Sequence, residues 1–143
     1  MCELKWQTVL IKIHNNGDVF YIMPGGGQES EEKLSDAVCR EVAEELGIVV
    51  IPKELVFVIE GLKGERSHRV DLVFLCEYKG EIPGIVLKGD TNQVGYDWLD
   101  IDTLILQPLY PSKLRRQIIN LYHGEKYITY LGNEEMGDPE FLD

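Results

Sequence analysis

The segment Arg40-Glu41-Val42-Ala43-Glu44-Glu45-Leu46-Gly47-Ile48 carries three glutamates whose spacing has chemical meaning on a helix. Each helical residue turns about 100°, so Glu41 and Glu45 stand one turn apart on one side, with Glu44 about 60° to the other side of Glu41. The three carboxylates then share an arc of roughly 100°. Like charges that close repel one another, and Arg40, four residues before Glu44, relieves only part of the repulsion. Oxygen ligands in this number suit Mg²⁺ or Mn²⁺, hard ions that also take phosphate oxygens. Such an ion neutralises phosphate charge and lowers the pKa of a bound water. A plainer reading stands beside this one: Glu-rich amphipathic helices are common, a charge run is usually a solvated face, and Arg40 is then an ordinary helical partner of Glu44.

The residues upstream sharpen the choice. Gly25, Gly26 and Gly27 let backbone approach a metal or phosphate closely, because no side chain intervenes. They match neither a P-loop, which needs Gly-Lys-Ser/Thr, nor a dinucleotide fingerprint. Ser30 is a candidate N-cap, with Glu31 and Glu32 suited to the positive end of a helix running from about Glu31 to Leu46. Val38, Val42 and Leu46 mark its buried stripe, and Gly47 is a fitting stop.

The elements that must hold this segment can be placed by pattern. Lys5 to Ile13 reads as a strand, Asn15-Asn16-Gly17-Asp18 as a hairpin turn, and Val19 to Met23 as the returning strand. Glu54 to Glu60 is a buried strand, and Gly61 to Ser67 a polar loop. Arg69 to Tyr78 is apolar on both faces and so central. Lys79 to Gln93 reads as loop, Val94 to Leu99 as a short strand, and Asp100 to Ile105 as a short helix. Pro111 to His123 is a second full helix with Leu114, Ile118, Ile119 and Leu121 or Tyr122 inward. Tyr127 to Leu131 offers a last strand before an acidic tail over residues 131–143. The order gives an α/β (α+β) class, with helices flanking a mixed sheet.

Bulk properties narrow the function classes. The 143 residues suit a single domain over residues 1–143. The net charge of −11 makes a poor binder of nucleic acid polymers, while leaving a small phosphorylated ligand open if a cation lies between. No membrane span or signal peptide is legible. Cys2, Cys39 and Cys76 form neither a disulfide framework nor a zinc pattern, which fits reduced thiols and a cytoplasmic setting.

The array from Gly26 to Ile48 resembles the Nudix box, G-x5-E-x7-R-E-U-x-E-E-x-G-U with U apolar. The matching residues are Gly26, Glu32, Arg40, Glu41, Val42, Glu44, Glu45, Gly47 and Ile48. A full match by chance is on the order of one in a million, which outweighs the solvated-face reading. The hairpin leading into Pro24-Gly25-Gly26-Gly27 and the Asp97-Trp98-Leu99 segment are similar to the same family, so the resemblance spans Lys5 to about Ile105. It implies a Nudix-type α/β/α sandwich with a central mixed β-sheet. It implies a hydrolase dependent on Mg²⁺ (or Mn²⁺) that cleaves a phosphoanhydride in a nucleoside diphosphate linked to another group. Glu41, Glu44, Glu45 and the Gly26 carbonyl would be metal ligands. Glu32 and Arg40 would support the loop–helix junction. The general base would be Glu41 or Glu45 first, and Asp97 second.

Other residues carry weaker expectations. Arg69 and Arg66 are candidates for phosphate or ribose contacts, beside Gly25 and Gly27, because guanidinium binds phosphate oxygens bidentately. His68 reads as a strand-edge histidine. Tyr21, Phe74 and Trp98 are base-stacking candidates that are more often core. Lys113, Arg115 and Arg116 read as a solvated basic face. Markers of family subtypes are missing: Leu62 and Lys63 stand where ADP-ribose hydrolases often carry proline, and Glu65 and Arg66 where dinucleoside polyphosphate hydrolases often carry tyrosine. A nucleoside triphosphate or a small nucleotide sugar, ADP-ribose included, remains the expected small nucleotide substrate, handled by a monomer or homodimer. The alternatives are a catalytically silent Nudix-fold sensor, an isomerase on the same fold, and an interaction domain.

Overall fold

Strand β2 (Gln7–Asn15) and strand β3 (Asp18–Ile22) form the hairpin, turning at Gly17 with φ of +87°. In this computed structural model residues 1, 5–6, 16, 63–67, 85–92 and 135–143 are left undescribed, and residues 2–4, 7, 9–11, 15, 93 and 94 are described by backbone alone. A short strand β1 (Cys2–Leu4) precedes the hairpin. Helix α1 (Leu34–Leu46) follows it, then the long strands β4 (Ile48–Gly61) and β5 (Arg69–Glu81) and strand β6 (Gln93–Asp100). A 3₁₀ helix (Ile101–Leu106), helix α2 (Lys113–Tyr122) and strand β7 (Tyr130–Asn133) complete the order.

The strands make one mixed sheet in the order β3-β2-β1-β5-β4-β7, with β6 antiparallel to β2. β5 is interior, between β1 and β4, as its two apolar faces require. Alternation along the strands sends side chains to two cores. Ile13, Phe20, Tyr96 and Trp98 join Val42 and Leu46 of α1, with Ile48, Val50 and Cys76. Tyr21 and Leu99, one residue along, point the other way and join Ile101, Leu104, Leu114 and Ile118 of the C-terminal helices, with Phe57 and Ile59 of β4. The result is the α/β/α sandwich expected from the sequence.

Several boundaries differ from the sequence expectation. α1 starts at Leu34, not Glu31, and its N-cap is Lys33, which makes no side-chain cap, rather than Ser30. Glu31 has φ of +63°, and the Glu32 N–H donates to the Glu29 carbonyl at 3.2 Å. The segment before α1 is therefore a reversed turn, which no helical residue can share. β4 starts six residues earlier than expected, at Ile48 instead of Glu54, running through Pro52. Proline has no N–H for the ladder, and the β4–β5 register shifts between Pro52 and Glu54 to accommodate it. β5 runs on to Glu81, into the expected loop. β7 runs Tyr130–Asn133, later than expected. β1 was not legible, and the acidic tail beyond Glu134 lies outside the described residues.

The basic cluster on α2 is also corrected. Only Arg116 is exposed. Arg115 is 4% exposed, its Nε donates to the Leu109 carbonyl at 2.9 Å, and its guanidinium lies 5.1 Å from the Tyr110 ring centroid. Lys113 Nζ donates to the Leu131 and Asn133 carbonyls at 3.0 and 2.5 Å. Long side chains bury their stems and spend their charge on carbonyls here, so the solvated-face pattern fails.

Candidate active site

Arg40 organises the loop ahead of α1. Its Nε donates to Glu32 Oε2 at 2.8 Å and its Nη2 to Glu32 Oε1 at 2.9 Å, a two-pronged pair. Nη2 also donates to the Gly27 carbonyl at 2.8 Å. Nη1 reaches Glu41 Oε1 at 2.9 Å and Glu44 Oε2 at 3.5 Å, with Glu29 at 3.6 Å. Glu32 Oε1 further accepts the Glu29 N–H at 3.0 Å, and Gln28 Nε2 donates to the Glu32 carbonyl. One guanidinium thus ties a reversed turn, a glycine loop and two helix carboxylates together. Its bond to Glu32, first, and to Glu41 raise the Arg40 pKa. The same bond, with the Glu29 N–H, lowers Glu32 to about 2.

The glycines lie against the helix. The Gly25 N–H donates to Glu45 Oε1 at 3.0 Å. A Cβ on Gly26 would stand 2.5 Å from the Glu41 carboxyl carbon and Oε2, and 2.6 Å from Oε1. No side chain fits in that gap, so the backbone of Gly26 and the Glu41 carboxylate form one tight cradle. Glu41 and Glu32 have side chains 17% and 14% exposed, against 34% for Glu44.

These donors suit a hard divalent ion: a glutamate held against a glycine backbone, with a second and third glutamate on neighbouring positions of the same helix. Among the described residues no three acidic or imidazole or thiol groups converge on a single point. Arg40 Nη1 instead bridges Glu41 and Glu44, occupying electrostatically what a cation would share.

The remaining candidates sit elsewhere. Asp97 lies between Tyr96 and Trp98, which face α1, and points to the opposite side of the sheet. There its Oδ2 accepts the Tyr21 hydroxyl at 2.8 Å, with Lys12 Nζ at 3.9 Å. Burial, then the Asp97 contact, raises the Tyr21 pKa. Arg69 donates through Nε to Asp71 at 2.9 and 3.0 Å and through Nη2 to Glu134 at 2.7 Å, so a phosphate there must displace two carboxylates. Arg66 lies outside the described residues. His68 and the Tyr130 hydroxyl both bond the Glu60 carboxylate. Trp98 packs edge-on to Tyr78 at 5.3 Å, and Tyr21 is 9% exposed, so both are core rather than open stacking surfaces. Sequence reasoning missed Gly27 and Glu29 as Arg40 partners and Tyr21 as the partner of Asp97. Only the folded turn and the hairpin register bring these together.

Sheet, flanking helices and a glycine loop locked to an acidic helix define one class of α/β/α protein. The chain belongs to the Nudix family: the NUDIX domain model matches residues 4–121. Among solved structures, a NUDIX hydrolase from Nitrosomonas europaea is 24% identical, with 88% of this chain and 86% of that one covered and a TM-score of 0.69. A mutator MutT protein from Bacillus halodurans is 21% identical over 98% and 88% of the two chains, with a TM-score of 0.68. An ADP-ribose pyrophosphatase from Streptococcus suis is 20% identical over 90% and 92%, with a TM-score of 0.62. At these identities the likeness is one of fold. Among curated proteins there is no significant match.

Proposed function

We propose that the chain is a Mg²⁺-dependent hydrolase that cuts a phosphoanhydride in a nucleoside diphosphate linked to another group. The close approach of the Gly26 backbone to the Glu41 carboxylate, too tight to admit even a single methyl, carries this reading. Glu41, Glu44, Glu45 and the Gly26 carbonyl are the proposed holders of the ion, with Mn²⁺ as a substitute. When bound, the ion would neutralise phosphate charge and raise the acidity of water. Arg40 and Glu32 position the loop, in which the Gly25 N–H donates to Glu45 and the Gly27 carbonyl accepts from Arg40, and Gly25 and Gly27 are proposed as substrate contacts. Glu41 or Glu45 accepts the proton of the attacking water. Asp97 is the weaker choice, because its carboxylate already accepts the Tyr21 hydroxyl on the other sheet face. In-line positioning and charge neutralisation supply the rate gain.

The proposed substrate is a nucleoside triphosphate or a small nucleotide sugar. The neighbour described as an ADP-ribose pyrophosphatase supports keeping ADP-ribose among them. Arg69 and Arg66 are proposed as phosphate or ribose contacts only where substrate competes with the Asp71 and Glu134 pairs. No helix among the described residues is long and apolar enough to cross a membrane. We place the enzyme in the cytoplasm, acting on free nucleotides.

A panel of nucleoside triphosphates, nucleotide sugars and ADP-ribose, incubated with Mg²⁺ or Mn²⁺ and resolved by product mass, tests the reading. Cleavage at a phosphoanhydride is expected, with Glu41→Gln and Glu45→Gln each slower by about 10²-fold or more. Near-normal turnover in both variants at saturating Mg²⁺ would sink it.

A further inference from the structure

Arg115, in the first turn of α2, is 4% exposed. Its partners among the described residues are the Leu109 carbonyl, met by Nε at 2.9 Å, and the Tyr110 ring, whose centroid lies 5.1 Å from the guanidinium carbon. Neither is a carboxylate. Burying a guanidinium without an opposite charge is costly, and an apolar side chain of similar volume would fill the space at less cost. Arg115 is therefore explained by what it holds rather than by what it fills.

It holds a strap of chain along β3, the strand at one end of the sheet order. The Tyr21 N–H donates to the Pro108 carbonyl at 2.9 Å, and the Tyr110 N–H donates to the Tyr21 carbonyl at 3.0 Å. Together these make a parallel bridge between Tyr21 and Leu109. In such a bridge Tyr21 uses both of its backbone polar groups, and Leu109 turns its own away from β3. Leu109 is 0% exposed, so its carbonyl has no water to bond and needs a donor, which Arg115 Nε supplies. The Tyr110 ring also meets Phe20 of β3 edge-on, with centroids 6.2 Å apart.

We propose that Arg115 is a positioning residue for the site on α1, an inference that rests on the hydrolase reading. β3 ends at Ile22, and the Gly25 N–H, just beyond, donates to Glu45 Oε1. Only Ile22, Met23 and Pro24 separate the strapped Tyr21 from that glycine. Met23 packs against the core shared with the C-terminal helices, and the Pro24 ring fixes its φ. Where the strap holds β3 thus sets where Gly25 and Gly26 meet Glu45 and Glu41. Arg115 acts through the strap and β3, and its partners include none of the glutamates.

Amide exchange followed by NMR, beside initial rates, tests this in the full chain. Arg115→Met keeps the apolar length and removes the donor. The Tyr21, Tyr110 and Gly25 amides should then exchange roughly tenfold faster, while Phe57 and Val73 in the β4–β5 ladder exchange as in wild type. Arg115→Gln places an N–H where Nε stands and should restore the protection. Arg115→Lys keeps a cation but puts a methylene there; it should open the same amides, and it serves if the Met variant does not fold. Arg116→Met, at the exposed neighbour, should behave as wild type. Turnover should fall on the order of tenfold in the Met and Lys variants, with KM near wild type, and recover in Arg115→Gln. Wild-type exchange at Tyr21 and Gly25 in a folded Met or Lys variant would overturn the proposal. So would an equal rise at Phe57 and Val73, a Gln variant as open as the Met variant, or normal turnover beside the faster exchange. A wild-type protein without any turnover would instead remove the hydrolase reading, and exchange alone would then judge the strap.

Discussion

Gly26 and Glu41 leave each other no spare volume, and this close approach can be probed by one methyl group. In Gly26→Ala the new Cβ meets the end of a flexible side chain, so Glu41 turns away and the fold survives. Stability should change by no more than about 0.5 kcal/mol, while turnover should fall on the order of 10²-fold, the usual effect of a misplaced catalytic group. Thermal melts beside initial rates would separate the two. Glu32 makes a different prediction, in pH. Arg40 holds its folded pKa near 2, below the ordinary 4.5. A depressed carboxylate contributes stability above its unfolded pKa and loses it as pH falls through the folded value. Wild type should therefore exceed Glu32→Gln in stability at neutral pH, and the gap should close between about 4.5 and 2. An unchanging gap down to the lowest pH would show that the carboxylate charge is not what Arg40 uses. The glutamates, Arg40 and the glycines were legible in the sequence because their spacing is set by one helix and its loop. The reach of Arg40 to the Gly27 carbonyl was not, because it depends on how the loop folds back.

At the scale of elements, α1 has a strong stop and a weak start. Gly47 adopts φ of 67° and its N–H closes on the Ala43 carbonyl at 3.0 Å. A Cβ in that left-handed conformation costs roughly 1–2 kcal/mol, so Gly47→Ala should lower the unfolding free energy by that amount, read in a urea titration as a lower midpoint with an unchanged m-value. At the other end Lys33 caps with no side-chain bond and places positive charge at the positive end of the helix dipole. Lys33→Ser should raise stability by about 0.5–1 kcal/mol, measured in the same titration. The stop was readable because glycine after an apolar period has one common use. The start was misread at Ser30, because a polar run ahead of a helix fits a cap and a tight turn equally well. Pro52 hid the first half of β4, since a proline ordinarily argues against an interior strand and only the bulge beside it makes room. β1 had no signal of its own: three residues carry no periodicity, and the parallel partner lies more than seventy positions away.

At the scale of the molecule, two cores on opposite sheet faces hold α1 and the C-terminal helices, and the chain carries a net charge of −11. That excess of acid would attract divalent ions weakly anywhere on the surface, so binding by the box glutamates must be separated from it. Titration with Mn²⁺, followed by electron paramagnetic resonance, does so when Glu41→Gln/Glu44→Gln is compared with a charge-matched control, Glu54→Gln/Glu125→Gln, at two exposed positions. The account predicts a saturable site in wild type and in the control, and its loss in the α1 variant. Equal Mn²⁺ binding in all three proteins would contradict it.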